Sequence, residues 1–120
     1  MNNNFKAVSH RKSKIAERVR QLISEILLKE DFYFDNFKNK VITVTDVDIS
    51  PDFKNAKIFV TIFDDEGKVA VINNLNRKTN FFKRRLFKEL NLRFVPEIHF
   101  YIDTSLDYSS NIDKILNKLN

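Results

Sequence analysis

The stretch VITVTDVDISPDFKNAKIFVTIF, residues 41–63, has the pattern of two β-strands joined by a turn. β-Branched residues alternate along its first part, and the alternation returns from Ala56 to Phe63. Between the two parts, the segment SPDFKN supplies a proline and an aspartate, which turns favour. The sequence therefore predicts that the two strands pair as a β-hairpin.

A helix is predicted before the hairpin, from about Ser13 to Lys29. Apolar residues recur there at steps of three and four, the spacing that places side chains on one face of a helix. These residues are Ile15, Val19, Leu22, Ile23, Ile26 and Leu27. We interpret residues 1–12 as a basic N-terminal tail, and we expect the aromatic and Asn-rich segment DFYFDNFKNK, residues 31–40, to be a loop.

A second helical region and a third strand are predicted after the hairpin. The segment DDEG suits a helix start, and an apolar stripe at helical spacing then runs from Val69 to Leu90. VPEIHFYID, residues 95–103, has strand character, with Pro96 where strand ends tolerate it. This order predicts a single α+β domain, residues 13–104, with a three-stranded sheet packed against helices. Residues 105–120 are expected to be a C-terminal extension with a short amphipathic helix.

The composition excludes several classes of protein. The chain has 120 residues, no cysteine, one glycine and a formal net charge of +5. The lack of cysteine excludes disulfides and thiolate metal sites and fits a reducing cytosol. No segment approaches the roughly 18 consecutive apolar residues of a membrane span. Because phosphate-binding glycine loops and paired-histidine motifs are also missing, we expect a cytoplasmic protein that is not an enzyme and has no cofactor or metal.

Polar residues on the predicted strands offer a weak alternative to that view. His99 would share one strand face with Glu97, Tyr101 and Asp103. An ordinary polar sheet face explains this pattern better than acid–base catalysis. The carboxylates of DVDISPD, residues 46–52, lack the spacing of a calcium loop, so we assign them to strand and turn.

Positive charge is concentrated in residues 77–93, which contain seven basic residues and one acidic residue. At about 100° per residue along a helix, four of these basic residues cluster opposite an apolar stripe, and Phe81 falls among them. The four are Arg77, Arg84, Arg85 and Lys88. To the core we assign Phe82, Leu86, Phe87 and Leu90. The basic cluster is either a contact surface for RNA phosphates or a solvated face over a Phe-rich core.

Two runs carry a resemblance to a known family. DVDISPDFKNAKIFV and LNLRFVPEIHFYID resemble the ribosome-binding factor A family of bacterial small-subunit assembly factors, and the similarity extends over most of residues 15–103. The matching residues are Ser50, Asp52, Ala56, Lys57, Phe81, Lys83, Lys88, Leu90, Leu92, Arg93, Val95, Pro96, Glu97, His99, Phe100 and Asp103. The resemblance implies a type II KH domain in the order helix-strand-strand-helix-helix-strand. Other KH domains clamp RNA with a GxxG loop. This chain cannot form such a loop, because it has only one glycine.

The resemblance also implies a function. Proteins of this family bind the immature small (30S) ribosomal subunit, contact its 16S ribosomal RNA near the neck of the decoding region, and assist late maturation and RNA processing, especially at low temperature. The expected partners are therefore that subunit, its RNA and other assembly factors. We expect the protein to be a monomer and not to associate with a membrane. The residues assigned to RNA binding are Arg11, Lys12, Lys14, Arg18, Arg77, Lys78, Asn80, Phe81, Lys83, Arg84, Arg85, Lys88 and Arg93.

The chain departs from the family pattern at two places. The family's Ala-x-Gly helix kink aligns with Lys78, Thr79 and Asn80, and asparagine tolerates a left-handed backbone better than most residues. A kink at Asn80 is therefore compatible with the sequence. Phe81 would then either stack on a base or be rotated into the core. The family's Asp-Pro-Arg segment after the first helix is replaced here by the loop at residues 31–40.

Two other functions remain open at this point. The chain could be a protein adaptor that uses the C-terminal extension and the loop at residues 31–40. It could also be a general RNA binder without selectivity for ribosomes. The salt dependence of binding distinguishes the protein adaptor from an RNA-binding protein. Phosphate contacts weaken steeply as the salt concentration rises, whereas binding by an adaptor should depend little on salt.

Overall fold

The computed structural model describes residues 3–29, 41–63 and 67–105, with side chains from Lys14 onward in the first helix. The elements are α1 Asn3–Lys29, β1 Ile42–Ile49, β2 Asn55–Ile62, α2 Lys68–Arg77, α3 Thr79–Leu90 and β3 Glu97–Ile102. This order and the α+β class confirm the prediction. The loop at residues 31–40, the carboxylates at 64–66 and the helix predicted in the C-terminal extension lie outside the described residues.

The hairpin is present and its strands lie close to the predicted positions. β1 and β2 are antiparallel, with Val44 opposite Val60 and Ile49 opposite Ala56, and a bulge interrupts the register between Val44 and Asp46. β3 runs parallel to β2, with Ile58 opposite Phe100. β2 is therefore the central strand, and α2 and α3 form the crossover that a parallel pair requires.

The three helices cover one face of the sheet. The core contains Val19, Ile23 and Ile26 of α1, Phe82 and Leu86 of α3, and the alternate residues of the strands. The opposite face of β3 presents Glu97, His99 and Tyr101 to solvent, which confirms the predicted polar sheet face. Thus the basic residues of α1 and α3 stand on the helical side of a two-layer domain.

The helix α1 begins at Asn3, ten residues before the predicted start. The segment 3–12 contains neither Pro nor Gly to stop a helix. Periodicity finds a helix only where an apolar stripe is present, so it located the part that packs on the sheet. Residues 3–12 are therefore helical in their backbone and continuous with the rest of α1.

The helical region breaks at Lys78, not at Asn80. Lys78 has φ −105° and ψ 16° and separates α2 from α3, while its carbonyl accepts from the Phe81 amide at 3.0 Å and so starts α3. Asn80 is an ordinary residue of α3. The left-handed asparagine is Asn91, with φ 51° at the C-terminus of α3, where this conformation commonly ends helices.

The assignment of Phe87 to the core is wrong. Its side chain is 61% exposed, whereas Phe82 and Leu86 are fully buried. Phe87 lies five residues after Phe82, about 140° around the helix at 100° per residue. That angle places it on the outer face of α3.

Candidate RNA interface

The outer face of α3 carries cations and an aromatic ring. Arg84 and Lys88 are both exposed, and their four-residue spacing puts them on one side of the helix. Asn80 is exposed one turn before Arg84. Phe87 lies next to Lys88 on the same outer surface. We call Asn80, Arg84, Phe87 and Lys88 the α3 outer face.

Two of the predicted phosphate-binding residues lie in ion pairs instead. Lys83 Nζ donates to Glu97 Oε1 at 2.6 Å, so its half-buried side chain ties α3 to the start of β3. Arg85 Nη2 donates to Glu89 Oε1 at 2.9 Å, one turn further along α3. These contacts reduce the charge that either residue can offer a phosphate.

The remaining basic residues of the segment occupy three environments. Arg77 is exposed and its Nη1 donates to Asn74 Oδ1 at 3.1 Å. Lys78 is half-buried at the helix break, and burial lowers the pKa of its ammonium group. Arg93 follows α3, and its guanidinium lies 5.7 Å from the centre of the Phe94 ring. All three remain predicted RNA-contacting residues, in settings that differ from that of the α3 outer face.

The first helix contributes cations from a separate element. Lys14 and Arg18 are exposed and lie four residues apart in α1, which places them on one side of that helix. Arg11 and Lys12 belong to α1, but their side chains lie outside the described part of the chain. Since α1 packs against β1 and α3, its cations share the helical layer with the α3 outer face.

Phe81 packs against the core and is half-buried. Its ring meets Phe82 edge to face at 5.7 Å, and the Arg85 guanidinium lies 6.0 Å from its centre. Phe81 thus lies partly in the core, and no kink occurs at Asn80. Its ring offers less open surface than the exposed ring of Phe87.

Sequence reasoning missed two exposed aromatic residues beside cations, Phe87 and Phe94. Phe94 is 76% exposed and contacts Arg93 as described above. The helical angle of Phe87 could have revealed its exposure. The pattern gave no such signal for Phe94, because the segment between α3 and β3 is neither helix nor strand.

The described part of the chain supports neither a metal site nor a membrane-spanning helix. No group of three or more His, Asp or Glu side chains there is arranged to share a metal ion. None of the described helices combines the length and the apolar character needed to cross a bilayer.

Solved structures resemble this fold. The crystal structure of ribosome-binding factor A from Thermus thermophilus matches with a TM-score of 0.65 at 18% identity, over 76% of this chain and 94% of that one. A second Thermus thermophilus structure, a homology model of ribosome-binding factor A fitted into a cryo-EM map of its 30S complex, matches with a TM-score of 0.57 at 20% identity, over 74% of this chain and 91% of that one. The chain is thus a KH-like α+β domain.

Sequence comparison defines the family. The sequence profile of ribosome-binding factor A matches residues 11–116. A protein of Hyphomonas neptunium called ribosome-binding factor A is 40% identical over 112 residues, which cover 91% of this chain and 83% of that protein. The chain belongs to the ribosome-binding factor A family.

Proposed function

We propose that this protein binds the immature small ribosomal subunit, contacts its ribosomal RNA and supports late maturation of that subunit. The observation that carries this proposal is the family match over residues 11–116, nearly the whole chain. The 30S complex of the Thermus thermophilus relative points to the same partner. The role is non-catalytic, and the protein acts as a cytoplasmic monomer.

The contact surface in this proposal is the α3 outer face together with Lys14 and Arg18 of α1. Arg84 and Lys88 can each approach a phosphate without first breaking an ion pair seen in the described residues. Lys83 and Arg85 hold Glu97 and Glu89, so we assign them mainly to the architecture of α3. Arg77, Lys78 and Arg93 are further proposed contacts, as are Arg11 and Lys12, which precede Lys14 in α1.

The energy of such a contact comes largely from counterion release. Each phosphate that a lysine or arginine neutralises adds about 0.7 to 0.9 to the slope of log affinity against log salt concentration. Cations position the protein on the RNA backbone, and the shape of the folded RNA provides selectivity. Holding one arrangement of an RNA junction requires this kind of binding and no chemical step.

A charge-reversal experiment tests the surface. The variant Arg84→Glu with Lys88→Glu should keep its fold, because both side chains are exposed, and should bind small subunits at least tenfold more weakly with a shallower salt slope. The control is the variant Lys29→Glu with Lys57→Glu, which changes the net charge by the same amount. Lys29 is exposed at the C-terminal end of α1, and Lys57 is exposed on the polar face of the sheet. Equal losses in both variants, or no loss in the first, would contradict the assignment of this surface.

A further inference from the structure

The ring of Phe87 lies on the solvent side of the proposed RNA surface. Its side chain is 61% exposed, although Phe82 and Leu86 of the same helix are fully buried. It does not belong to the core or to the side chains packed against the core of the described residues. The packing of the domain therefore gives no reason for an aromatic residue at this position.

The faces of the Phe87 ring are open in the part of the chain that the structure describes. The Phe81 ring has the Arg85 guanidinium 6.0 Å from its centre, and the Phe94 ring has that of Arg93 at 5.7 Å. Among the described residues, no other ring and no cation stacks on Phe87. Phe87 therefore has a face available to a flat ligand.

The charges of α3 that surround Phe87 are positive. Arg84 precedes it by three residues, the spacing of neighbours on a helix surface, and Lys88 follows it directly. Both side chains are exposed. The acidic residue of α3, Glu89, lies about 200° from Phe87 around the helix and accepts a hydrogen bond from Arg85. An anion can therefore approach the ring without meeting an acidic side chain of α3.

β3 contributes one carboxylate beside α3, that of Glu97. It accepts from Lys83 Nζ at 2.6 Å, and Lys83 lies one turn before Phe87. This hydrogen bond lowers the pKa of Glu97, so the carboxylate is ionised and balanced by the lysine. The pair thus leaves the positive charge of Arg84 and Lys88 in excess on the α3 outer face.

A flat apolar group with an anion next to it fits this arrangement. Each nucleotide of an RNA chain has both, because its base stacks on aromatic side chains and its phosphate pairs with lysine or arginine. A base within a duplex has neighbours on both faces, and the deep major groove of A-form RNA does not admit side chains. The ligand that matches the ring and the two cations is therefore an unpaired nucleotide.

We propose that Phe87 stacks on one unpaired base of the bound ribosomal RNA, while Arg84 and Lys88 contact the phosphates next to that base. The cations alone accept any RNA backbone, whereas the ring requires a base that is free to stack. Phe87 thus makes the surface selective for a junction or loop over a continuous duplex. This inference rests on the proposed function, because the RNA in question is that of the small subunit.

Three substitutions of Phe87 test the stacking contact. Phe87→Ala removes the ring and should lower the affinity for small subunits about tenfold, a loss typical of one stacked base. Phe87→Leu keeps an apolar side chain without an aromatic face, so it should lose as much. Phe87→Tyr keeps the aromatic face and should bind as the unmodified protein does. The salt slope should stay the same in all three, because no cation is removed.

The control Phe63→Ala removes a ring that is 88% exposed directly after β2, and it should bind normally. Thermal unfolding followed by circular dichroism checks that each variant keeps its fold. Normal binding by Phe87→Ala would overturn the inference. Normal binding by Phe87→Leu would overturn it too, because any apolar group would then suffice, as in contact with a protein. A loss in Phe87→Tyr equal to that in Phe87→Ala would have the same meaning.

A second measurement tests for an unpaired base without subunits. Protein with ¹³C-labelled phenylalanine is titrated at low salt with the single strand hexauridylate, and separately with a short self-complementary duplex of guanine and cytosine at the same phosphate concentration. The ring resonance of Phe87 is identified by its absence from the Phe87→Leu protein. It should shift with the single strand and not with the duplex, while that of Phe63 stays unchanged. No shift with hexauridylate, or equal shifts with both RNAs, would overturn the inference.

The two measurements separate this inference from the proposed function. If the unmodified protein binds small subunits selectively and the Phe87 variants bind equally well, the stacking inference alone is wrong. If the Phe87 resonance shifts with hexauridylate but the unmodified protein does not bind small subunits, the ring is a base contact and the proposed function is wrong.

Discussion

The side-chain amide of Asn76 forms two hydrogen bonds with the backbone of Phe100. Its Nδ2 donates to the Phe100 carbonyl oxygen at 3.1 Å, and its Oδ1 accepts from the Phe100 amide at 2.8 Å. Phe100 lies in β3, an edge strand that pairs with β2 on one side. The asparagine of α2 therefore takes the place of a neighbouring strand at this position and blocks pairing with another chain.

Replacing Asn76 should destabilise the domain. Asn76→Ala leaves both backbone groups of Phe100 without these partners, so we expect a loss of about 1–3 kcal/mol in the free energy of unfolding. Urea denaturation measures the change. The control is Asn73→Ala, an exposed asparagine on the same helix, which should be neutral or slightly stabilising because alanine favours helices. Equal effects in both variants would show that the two hydrogen bonds contribute little.

The two phenylalanines at 82 and 87 should respond oppositely to truncation. Phe82 is fully buried and its ring centre lies 4.9 Å from that of Phe100, so Phe82→Ala should cost about 3–5 kcal/mol. Phe87→Ala should change stability by less than about 0.5 kcal/mol, because the ring is exposed. Chemical denaturation of both variants tests the placement of Phe87. A large loss from Phe87→Ala would return that residue to the core.

Asn91, rather than Asn80, should be sensitive to the loss of asparagine. Alanine at 91 would have to adopt the left-handed conformation, so we expect Asn91→Ala to cost about 1 kcal/mol. Asn91→Gly should be tolerated, since glycine adopts this conformation freely. Asn80→Ala serves as the control in a helical position and should not destabilise. If Asn80→Ala proved the more damaging change, the break in the helix would lie at Asn80 after all.

Acid should weaken the fold partly through Asp103. The Thr45 hydroxyl donates to Asp103 Oδ2 at 2.6 Å, and this bond, followed by that from the Ser105 amide, lowers the pKa of the carboxyl group. A group whose pKa is lower in the folded state stabilises the fold above its unfolded pKa, near 3.8. That stabilisation is lost as the pH falls below this value.

The variant Asp103→Asn isolates this contribution. Its free energy of unfolding, measured by urea denaturation between pH 7 and pH 3, should depend less on pH than that of the unmodified protein. The change should appear at the acidic end of the range. Parallel pH profiles for the two proteins would exclude a role for Asp103 in acid sensitivity.

The sequence predicted the fold well where apolar residues repeat. The stripe from Ile15 to Leu27 and the alternation in β1 and β2 report burial directly, so these elements were found. The start of α1 at Asn3 was not found, because its first residues carry no such stripe. The sequence left the position of the helix break open within Lys78, Thr79 and Asn80, since the local backbone angles depend on how α2 and α3 pack on β3.

The candidate site was less predictable from sequence. Counting charges located the cation-rich segment, but it did not reveal that Lys83 and Arg85 hold Glu97 and Glu89. The Glu97 contact joins residues fourteen positions apart, and only the crossover between β2 and β3 brings them together.

Co-sedimentation tests the proposed function most directly. The purified protein is centrifuged with isolated small subunits, large subunits or complete ribosomes, at low and at moderate salt. We expect selective pelleting with small subunits that weakens as salt rises. Equal pelleting with every particle would indicate a general polyanion binder. Absence of pelleting, or binding that is indifferent to salt, would contradict the RNA-contact account and favour a protein adaptor.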